Sequence, residues 1–460
     1  MGSRNAARLA CSREAHSYWT LTARELAVLG NVKTAMITRL LTVVFCASIA
    51  GITFLAFSEG SNLGQPPRTF GWADIPAFSM AGGLKAFWNV GDGTKGEAAK
   101  NAYARGFEPV TILNTYADYP GEQRENISKA IGDHHVNPWQ RPPFFERIIR
   151  RNIEQTPVRG IYVHDIELPF EENTKVAWED QPTQQASGTE SKDSFDEAYF
   201  RQWAEWFWLP LKWTKERYPN ASVGLYGVQP FRRDYWGISD KNAAQIDGTH
   251  KSDWRMWKYI EPYVNFYTAS VYVFYDRPDS VFYIATNVEE NYRRTRSLGD
   301  KPVYAYEWLR FHDSNIWLRE KELPSYLVEA MAIVPYFSGA KGVVLWGWEP
   351  QVKTGTQQPY GQLSLYVRSL KRVAMLSKKI ARGRLLNDPP AHELWKAHRP
   401  LIRRVMVDEN ECVVMAINPW QGDNERSIQP VQCGSFSSQI VLEGRHTTLV
   451  VLNRQGERAY

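Results

Sequence analysis

The stretch VRGIYVHDIELPF, residues Val158–Phe170, contains the pattern that decides the fold. Its β-branched and aromatic run predicts a buried strand, and Pro169 prevents the chain from continuing as a helix. Because residues two apart in an extended chain point to the same side, Asp165 and Glu167 are expected to share one face at the carboxyl end of this strand. In parallel α/β barrels, catalytic side chains come from this end of the strands.

Two carboxylates so close together cannot both ionise freely, so the pKa of one of them should rise. A carboxyl group that keeps its proton near neutral pH is a candidate general acid. An isolated Asp-x-Glu pair is also common on protein surfaces at strand ends. The rest of the chain therefore decides between a surface pair and a catalytic pair.

The region from Thr69 to Ala381 alternates short apolar runs with longer amphipathic stretches. This alternation predicts a parallel α/β fold, and the number of strands favours a distorted TIM-type (β/α) barrel over residues 69–389. The candidate strands are Ala86–Asn89, Pro109–Leu113, Gly160–Val163, Ser222–Tyr226, Val264–Tyr267, Pro302–Tyr306 and Gly342–Trp346. The candidate helices include Phe144–Gln155, Asp196–Arg217, Val281–Ser297 and Ser325–Phe337. The polar segment Lys175–Asp193 is expected to be a surface insertion in the loop after the Asp-x-Glu strand.

After Pro390 the sequence changes to short β runs separated by Asn, Gly and Asp clusters. The runs predict a small antiparallel, sandwich-like β domain over residues 390–460. They are Val405–Val407, Cys412–Ile417, Ile428–Val431, Gln439–Leu442 and Thr447–Leu452. Cys412 and Cys433 lie in this region, where they either form a disulfide or remain buried thiols.

The N-terminal region contains a charge-free run of eighteen residues, Leu40–Phe57, preceded by Lys33 and Arg39. It is typical of a signal peptide or a signal anchor, and both interpretations export the rest of the chain; a buried core helix is the alternative. We therefore expect a cytoplasmic or mis-started leader at 1–35, a signal segment at 36–58 and a linker at 59–68. The protein would be secreted, or anchored on the outer side of a membrane by residues 40–57.

The composition excludes some functions and favours others. The net charge of +5 is spread over 460 residues without a long basic run, so nucleic-acid binding is not predicted. A mildly basic chain favours a polyanionic substrate, and 18 Trp and 23 Tyr provide many rings for contact with the apolar faces of sugars. No spacing indicates a metal site, and no cofactor is predicted.

Several segments together resemble one family, the hyaluronidase family of glycoside hydrolases. Gly160–Phe170 resembles its catalytic strand, and the other segments follow in the family's order. These are Ala86–Val90 (AFWNV), Ser222–Pro230 (SVGLYGVQP), Phe266–Phe274 (FYTASVYVF), Lys301–Asp313 (KPVYAYEWLRFHD) and Gly339–Glu349 (GAKGVVLWGWE). The sequence departs from the family after Glu167, where Leu168-Pro169-Phe170 stands in place of a Trp-Arg-Pro-like segment.

The resemblance implies roles for the two carboxylates. Glu167 would be the proton donor, and Asp165 would orient the acetamido group of the substrate. That group would attack the anomeric carbon and give net retention, as in glycosidases that use the substrate's own nucleophile. The implied substrate is a polysaccharide containing N-acetylhexosamine, with glycosaminoglycans such as hyaluronan or chondroitin as candidates.

The resemblance also implies roles for aromatic residues. Tyr226 and Tyr272 match positions that contact the acetamido group and the reacting sugar, and Trp346 matches the tryptophan beneath that sugar. Tyr306 matches a further position in the cleft. Either Tyr116 or Tyr119 is expected to contact a more distant sugar. For Trp346, Tyr306 and Tyr226, a role in core packing is the alternative.

Two other functions remain open from the sequence alone. One is a glycosidase acting on a different glycan, such as chitin or an exopolysaccharide. The other is a non-catalytic polysaccharide-binding protein on a barrel scaffold.

Overall fold

The structure is a computed structural model that describes residues 72–90, 96–116, 137–141, 144–168, 174–231, 241–319, 321–347 and 361–460. The leader, the run Leu40–Phe57 and the linker lie outside these residues. Within the described part of the chain, no helix is both long and apolar enough to cross a membrane.

Parallel strands alternate with helices in the first part of the fold, as the sequence predicts. The strands are β1 (Lys85–Val90), β2 (Glu108–Asn114), β3 (Ile161–Asp165), β4 (Val223–Tyr226), β5 (Tyr267–Ser270), β6 (Val303–Glu307) and β7 (Gly342–Gly347). The helices are α1 (Glu97–Ala104), α2 (Phe145–Glu154), α3 (Thr174–Glu179), α4 (Gln181–Ser187), α5 (Lys192–Arg217), α6 (Ala243–Ile260), α7 (Asp279–Thr295), α8 (Ser325–Phe337) and α9 (Gly361–Arg382).

The seven strands form one sheet in the order β4-β3-β2-β1-β7-β6-β5, which curls into a nearly closed barrel. Its two ends meet without a regular ladder. The Asn265 amide donates to the Val223 carbonyl at 2.7 Å, and the Thr268 hydroxyl donates to the Leu225 carbonyl at 2.6 Å. The predicted TIM-type barrel is therefore confirmed.

The barrel has two apolar layers, which separate the two faces of every strand. The inner cluster fills the barrel and contains Phe87, Val110, Val163, Phe266 and Val344. The larger outer cluster packs the opposite strand faces against the helices. A side chain's cluster therefore shows whether it points into the barrel or away from it.

The position predicted for β5 is wrong by most of its length. The prediction placed the strand at Val264–Tyr267, whereas the strand begins at Tyr267. Val264 and Phe266 are fully buried, which explains the apolar pattern, but the ladder with β6 starts only where the Tyr267 amide donates to the Pro302 carbonyl at 2.9 Å. Apolarity reports burial and not strand pairing.

The segment predicted as a loop insertion, Lys175–Asp193, is instead largely helical. Asp180 caps α4 by accepting a hydrogen bond from the Thr183 amide at 3.0 Å, and Gly188 ends that helix with a φ of +65°. Trp178 on α3 packs against Phe195 of α5 at 5.3 Å between ring centroids. The capping residues Asp180 and Gly188 favour a helix in this polar segment, and the polar composition alone does not predict that helix.

The C-terminal region is antiparallel, as predicted. It begins with β8 (Arg384–Leu385) and α10 (Ala391–Lys396). Six further strands follow: β9 (Leu401–Asp408), β10 (Glu411–Ile417), β11 (Arg426–Cys433), β12 (Phe436–Glu443), β13 (Thr448–Asn453) and β14 (Gly456–Ala459). A five-stranded sheet has the order β14-β13-β10-β9-β8, and β11 pairs with β12. Of the two alternatives for the cysteines, the structure has the disulfide, Cys412–Cys433.

Buried polar contacts join this β region to the barrel helices. Arg403 of β9 donates to Glu289 of α7 at 2.6 Å, and Glu289 also accepts the Ala391 amide at 3.1 Å. Glu329 of α8 accepts the Thr447 amide at 2.8 Å. The barrel and the β region accordingly belong to a single unit, Phe70–Tyr460.

Candidate active site

Asp165 and Glu167 follow the inner face of β3. Asp165 has the same strand parity as Val163, which lies in the inner cluster. Beyond the strand, buried Ile166 and Leu168 belong to the outer cluster, while Asp165 and Glu167 are half-buried. The chain thus keeps its alternation past the strand end, and both carboxylates lie on the side of the barrel interior.

The neighbouring turn on β4 places Tyr226 beside this pair. Asp165 is in register with Tyr226, and the Ile166 amide donates to the Tyr226 carbonyl at 3.0 Å. Gly227 follows with a φ of +100°, and a Cβ there would lie 2.2 Å from the Ile166 carbonyl oxygen. Only glycine fits this position, because its main chain lies directly against the main chain that leads to Glu167.

Four aromatic residues predicted for the site come together at the carboxyl end of the barrel. The ring centroids of Tyr226 and Tyr306 are 4.5 Å apart, and those of Tyr226 and Tyr272 are 6.2 Å apart. Trp346 lies 5.5 Å from Tyr272. Trp346 is partly exposed, whereas the three tyrosines are buried. We call Tyr226, Tyr272, Tyr306 and Trp346 the aromatic wall.

Tyr306 retains hydrogen-bonding capacity inside this wall. Its hydroxyl is buried and has no hydrogen-bond partner among the described residues. Burial first, and the negative charge of Asp165 second, raise the pKa of Tyr306 well above its ordinary value. The phenol therefore stays neutral and remains a donor for an oxygen that enters the site.

Asn89 is a second such donor, and the sequence analysis did not single it out. It shares a strand face with Phe87 of the inner cluster and is in register with Trp346. The side chain is 4% exposed, and its Nδ2 atom has no hydrogen-bond partner within the described part of the chain. Because Asn89 lies two residues after Phe87, strand periodicity could have placed its side chain on the inner face.

Trp308 and His312 extend the aromatic wall and were also missed. The Trp308 ring lies 5.0 Å from that of Trp346 and 6.2 Å from that of Tyr272. The His312 ring stacks on Tyr272 at 5.9 Å with an interplanar angle of 28°. Trp308 follows Tyr306 at a spacing of two, so strand periodicity would have placed it on the same face.

Of the two residues predicted to contact a more distant sugar, Tyr116 is not part of this wall. Tyr116 lies in the outer cluster, where its ring is 6.0 Å from that of Phe145 and its hydroxyl donates to the Trp206 carbonyl. Its hydroxyl and ring thus take part in packing β2 against α2 and α5. Tyr119 lies outside the described residues. Sugar contact by either residue stays a prediction.

His164 points away from the site, because it alternates with Asp165 along β3. Its ring lies between the hydroxyls of Thr115 and Thr214, at 2.9 Å from Nδ1 and 2.7 Å from Nε2. Complete burial lowers the pKa of His164 to about 3. A neutral imidazole bonded on both nitrogens serves the packing of the outer layer.

Comparisons with known proteins give matches in structure alone. No protein-family model matches the sequence, and no curated protein matches it. The chain is similar to bee venom hyaluronidase, with a TM-score of 0.44, 16% identity and coverage of 67% of this chain and 99% of that one. The same enzyme in complex with a hyaluronic acid tetramer gives a TM-score of 0.43, 17% identity and coverage of 63% and 99%. An endo-β-1,4-mannanase from Cellulomonas fimi gives 0.32, 10% identity and coverage of 78% of each chain. With values this low, any function must be argued from the residues of the site.

Proposed function

We propose that the protein is an endo-acting glycoside hydrolase that cleaves N-acetylhexosaminidic bonds in a polysaccharide. The observation that carries this proposal is the alternation past β3, which places Asp165 and Glu167 on the inner side of the barrel beside an aromatic wall. Carboxylates combined with partly exposed aromatic rings suit a sugar, because such rings cover its apolar face while polar groups bind its hydroxyls.

The proposed reaction uses the acetamido group of the substrate as the nucleophile. Glu167 protonates the glycosidic oxygen as the bond to the anomeric carbon breaks. The acetamido oxygen forms a bond to that carbon, giving an oxazolinium-like intermediate whose positive charge is stabilised by Asp165. Glu167 then removes a proton from the water that opens the intermediate, and the product retains its configuration.

This mechanism explains why two carboxylates only two residues apart are enough. A conventional retaining pair lies on opposite sides of the scissile bond with carboxyl groups about 5 Å apart, which requires different strands or loops. A nucleophile tethered to the sugar needs no second attacking carboxylate and has a high effective molarity. The acid and the orienting group can then come from one strand end.

The aromatic wall supplies donors and a platform in this proposal. Tyr226 and Tyr272 hold the acetamido group and the reacting sugar, and Trp346 stacks on the apolar face of that sugar. Tyr306 donates its hydroxyl to an oxygen of the bound sugar. The raised pKa of Tyr306 supports this role, because a phenol that stays neutral remains a donor at every working pH.

We also propose that the folded unit is exported, as a secreted or membrane-anchored protein. The charge-free run Leu40–Phe57 supports export, and so does the disulfide between Cys412 and Cys433, because such bonds persist in oxidising compartments. Carbonate extraction of membranes from cells making the full chain separates the two forms. Protein found only in the reducing cytosol would contradict export.

The function is tested by measuring reducing ends released from hyaluronan, chondroitin, chondroitin sulfate and chitin oligomers at mildly acidic and neutral pH. Glu167→Gln removes the acid. Glu154→Gln, at an exposed position of α2, makes the same chemical change away from the site and is the matched control. We expect release by the parent and by the control, but not by Glu167→Gln. Equal release by all three would show that Glu167 is not the acid. If none of the polymers is cleaved, the proposal for these substrates fails.

A further inference from the structure

The loop that joins β6 to α8 displays an exposed aromatic ring. Trp317 is 76% exposed and Ile316 is 63% exposed, which makes Trp317 the most exposed large apolar side chain among the described residues. Tryptophan is usually well buried, so the exposure of Trp317 beside exposed Ile316 gives this loop an apolar spot that a ligand can contact.

The main chain beneath Trp317 is fixed, although its ring faces solvent. Buried Asn315 accepts hydrogen bonds at Oδ1 from the amides of Trp317 at 3.1 Å and Leu318 at 3.2 Å. The Asn315 side-chain amide in turn donates to the Phe274 carbonyl at 2.7 Å. The ring is therefore presented from an ordered turn, so a ligand meets a platform that loses little conformational freedom on binding.

The same turn is attached to the aromatic wall. The His312 amide donates to the Val273 carbonyl at 2.8 Å, and the His312 ring stacks on Tyr272. Because loops that follow strands lie at the carboxyl end of a barrel, Trp317 belongs to the rim on the Tyr272 side of the candidate active site.

Arg319 adds a positive charge next to this ring. Its side chain is exposed, and its guanidinium has no acidic partner among the residues that the structure describes. Its main-chain amide donates to the Asn315 carbonyl at 2.8 Å, so it belongs to the same ordered turn. A ring and a cation without a described acidic partner, two residues apart, suit a sugar chain that carries carboxylates or sulfates.

We propose that Trp317 and Arg319 form a distal subsite for a pyranose ring of an anionic polysaccharide. The subsite rests on the proposed function, since it binds the same chain some sugars away from the bond that is cut. Trp317 stacks on the apolar face of the ring, and Arg319 pairs with its acidic group. A protein partner fits less well, because Ile316 and Trp317 offer far less than the roughly 800 Å² that each side of a stable interface buries.

Binding is measured by affinity gel electrophoresis of proteins that carry Glu167→Gln, so that the polymer stays intact. The probes are hyaluronan, chondroitin sulfate and neutral glycol chitin. Trp317→Ala should weaken binding to the retarding polymer about three- to tenfold, and Trp317→Phe by less, because phenylalanine keeps a smaller ring. Ile316→Ala is the matched control and should bind like its parent. Arg319→Gln should weaken binding only to the anionic polymers, and the effect should shrink at high salt.

The outcomes separate this inference from the proposed function. Unchanged binding by Trp317→Ala, or an equal loss for Ile316→Ala, would overturn the subsite even if the protein that retains Glu167 cleaves the polymer. A parent that is not retarded by any of the three polymers would overturn it as well. Binding through Trp317 and Arg319 in the Glu167→Gln background, with no release of reducing ends by the protein that retains Glu167, would keep the subsite and overturn the glycosidase.

Discussion

The two faces of β3 hold polar side chains under very different conditions. On the outer face, His164 is fully buried and bonded to a threonine hydroxyl on each ring nitrogen. On the inner face, half-buried Asp165 ends the strand beside Tyr226 and influences the pKa of Tyr306. On the outer face, the His164 ring uses both of its nitrogens for the fold, whereas on the inner face Tyr306 and Asn89 keep donors that have no partner among the described residues. Donors without a described partner also occur in the outer layer, at the Tyr162 hydroxyl and at Nε1 of Trp88, so it is the inner face at the carboxyl end of the strands that distinguishes the candidate active site.

Two adjacent residues of β6 also lie on opposite faces of their strand. Glu307 is fully buried on the outer face, where burial raises the pKa of its carboxyl well above the ordinary value while Tyr366 donates a hydrogen bond to it. Its neighbour Tyr306 faces the barrel interior, and its hydroxyl has no hydrogen-bond partner among the residues that the structure describes. A buried carboxyl with a raised pKa can therefore belong to helix packing, and strand parity shows which of two adjacent residues can meet a substrate.

The largest expected effect is on the inner face. Glu167→Gln should lower kcat/KM by about a thousandfold, within the range for removal of a general acid. The unfolding temperature should stay unchanged, because Glu167 is half-buried and follows the strand end. Steady-state kinetics and thermal unfolding check both parts. A clearly lower unfolding temperature for Glu167→Gln would indicate a structural role for Glu167.

Gly227→Ala should disturb the turn after β4, which packs against the main chain that leads to Glu167. A Cβ would lie 2.2 Å from the Ile166 carbonyl oxygen, and alanine would have to adopt a φ of +100°. We expect a loss of about 3 kcal/mol in the free energy of unfolding, together with lower activity, because Tyr226 and Glu167 would move apart. Gly248→Ala, at a glycine with open space around it, is the control. Equal free energies of unfolding for the two variants, measured by denaturant unfolding, would contradict this account of the turn.

Tyr306→Phe should separate activity from stability. The hydroxyl has no described hydrogen-bond partner, so its removal should leave the free energy of unfolding unchanged or raise it by about 1 kcal/mol. Loss of a donor to the bound sugar should lower kcat by about ten- to a hundredfold. Chemical unfolding and kinetics on one preparation test both statements; a less stable variant with full activity would place Tyr306 in the core alone.

His164→Asn should change stability alone, so it has the smallest effect on activity. The pKa of His164 is about 3 in the folded chain and about 6.5 when unfolded, so the unfolded chain binds the additional proton between these values. The contribution of His164 is present above pH 6.5 and falls by about 1.4 kcal/mol per pH unit as the pH drops towards 3. Urea unfolding of parent and variant at pH 7, 6 and 5 should give a shallower pH slope for the variant. Identical slopes would contradict the burial of His164.

Much of the fold is predictable from periodicity, because burial imposes a pattern on each strand. The pattern located β3 and β6 and the shared side of Asp165 and Glu167 well. It failed at β5, where Val264 and Phe266 are buried before the ladder begins, and at α4, whose cap on Asp180 stands in a polar segment. Local patterns do not report which strands pair or where a polar segment finds a partner.

The candidate site was predictable only in part, for a similar reason. Tyr226, Tyr272, Tyr306 and Trp346 were named from a resemblance, and the structure brings them together. Asn89 and Trp308 were within reach of the period-two rule, but neither side chain is a carboxylate, and the resemblance gave neither of them a role. Tyr116 was chosen for its position after a strand, yet its hydroxyl bonds to the Trp206 carbonyl, a contact between segments far apart in sequence.

The most direct test of the central claim compares a cleaved polymer with its N-deacetylated form. Substrate assistance requires the acetamido oxygen as nucleophile, so the parent protein should release reducing ends from the acetylated polymer, and at least about a thousandfold more slowly from the deacetylated one. Re-N-acetylation of the same sample should restore the rate. Equal rates on both forms would contradict the account, because the nucleophile would then have to come from the protein.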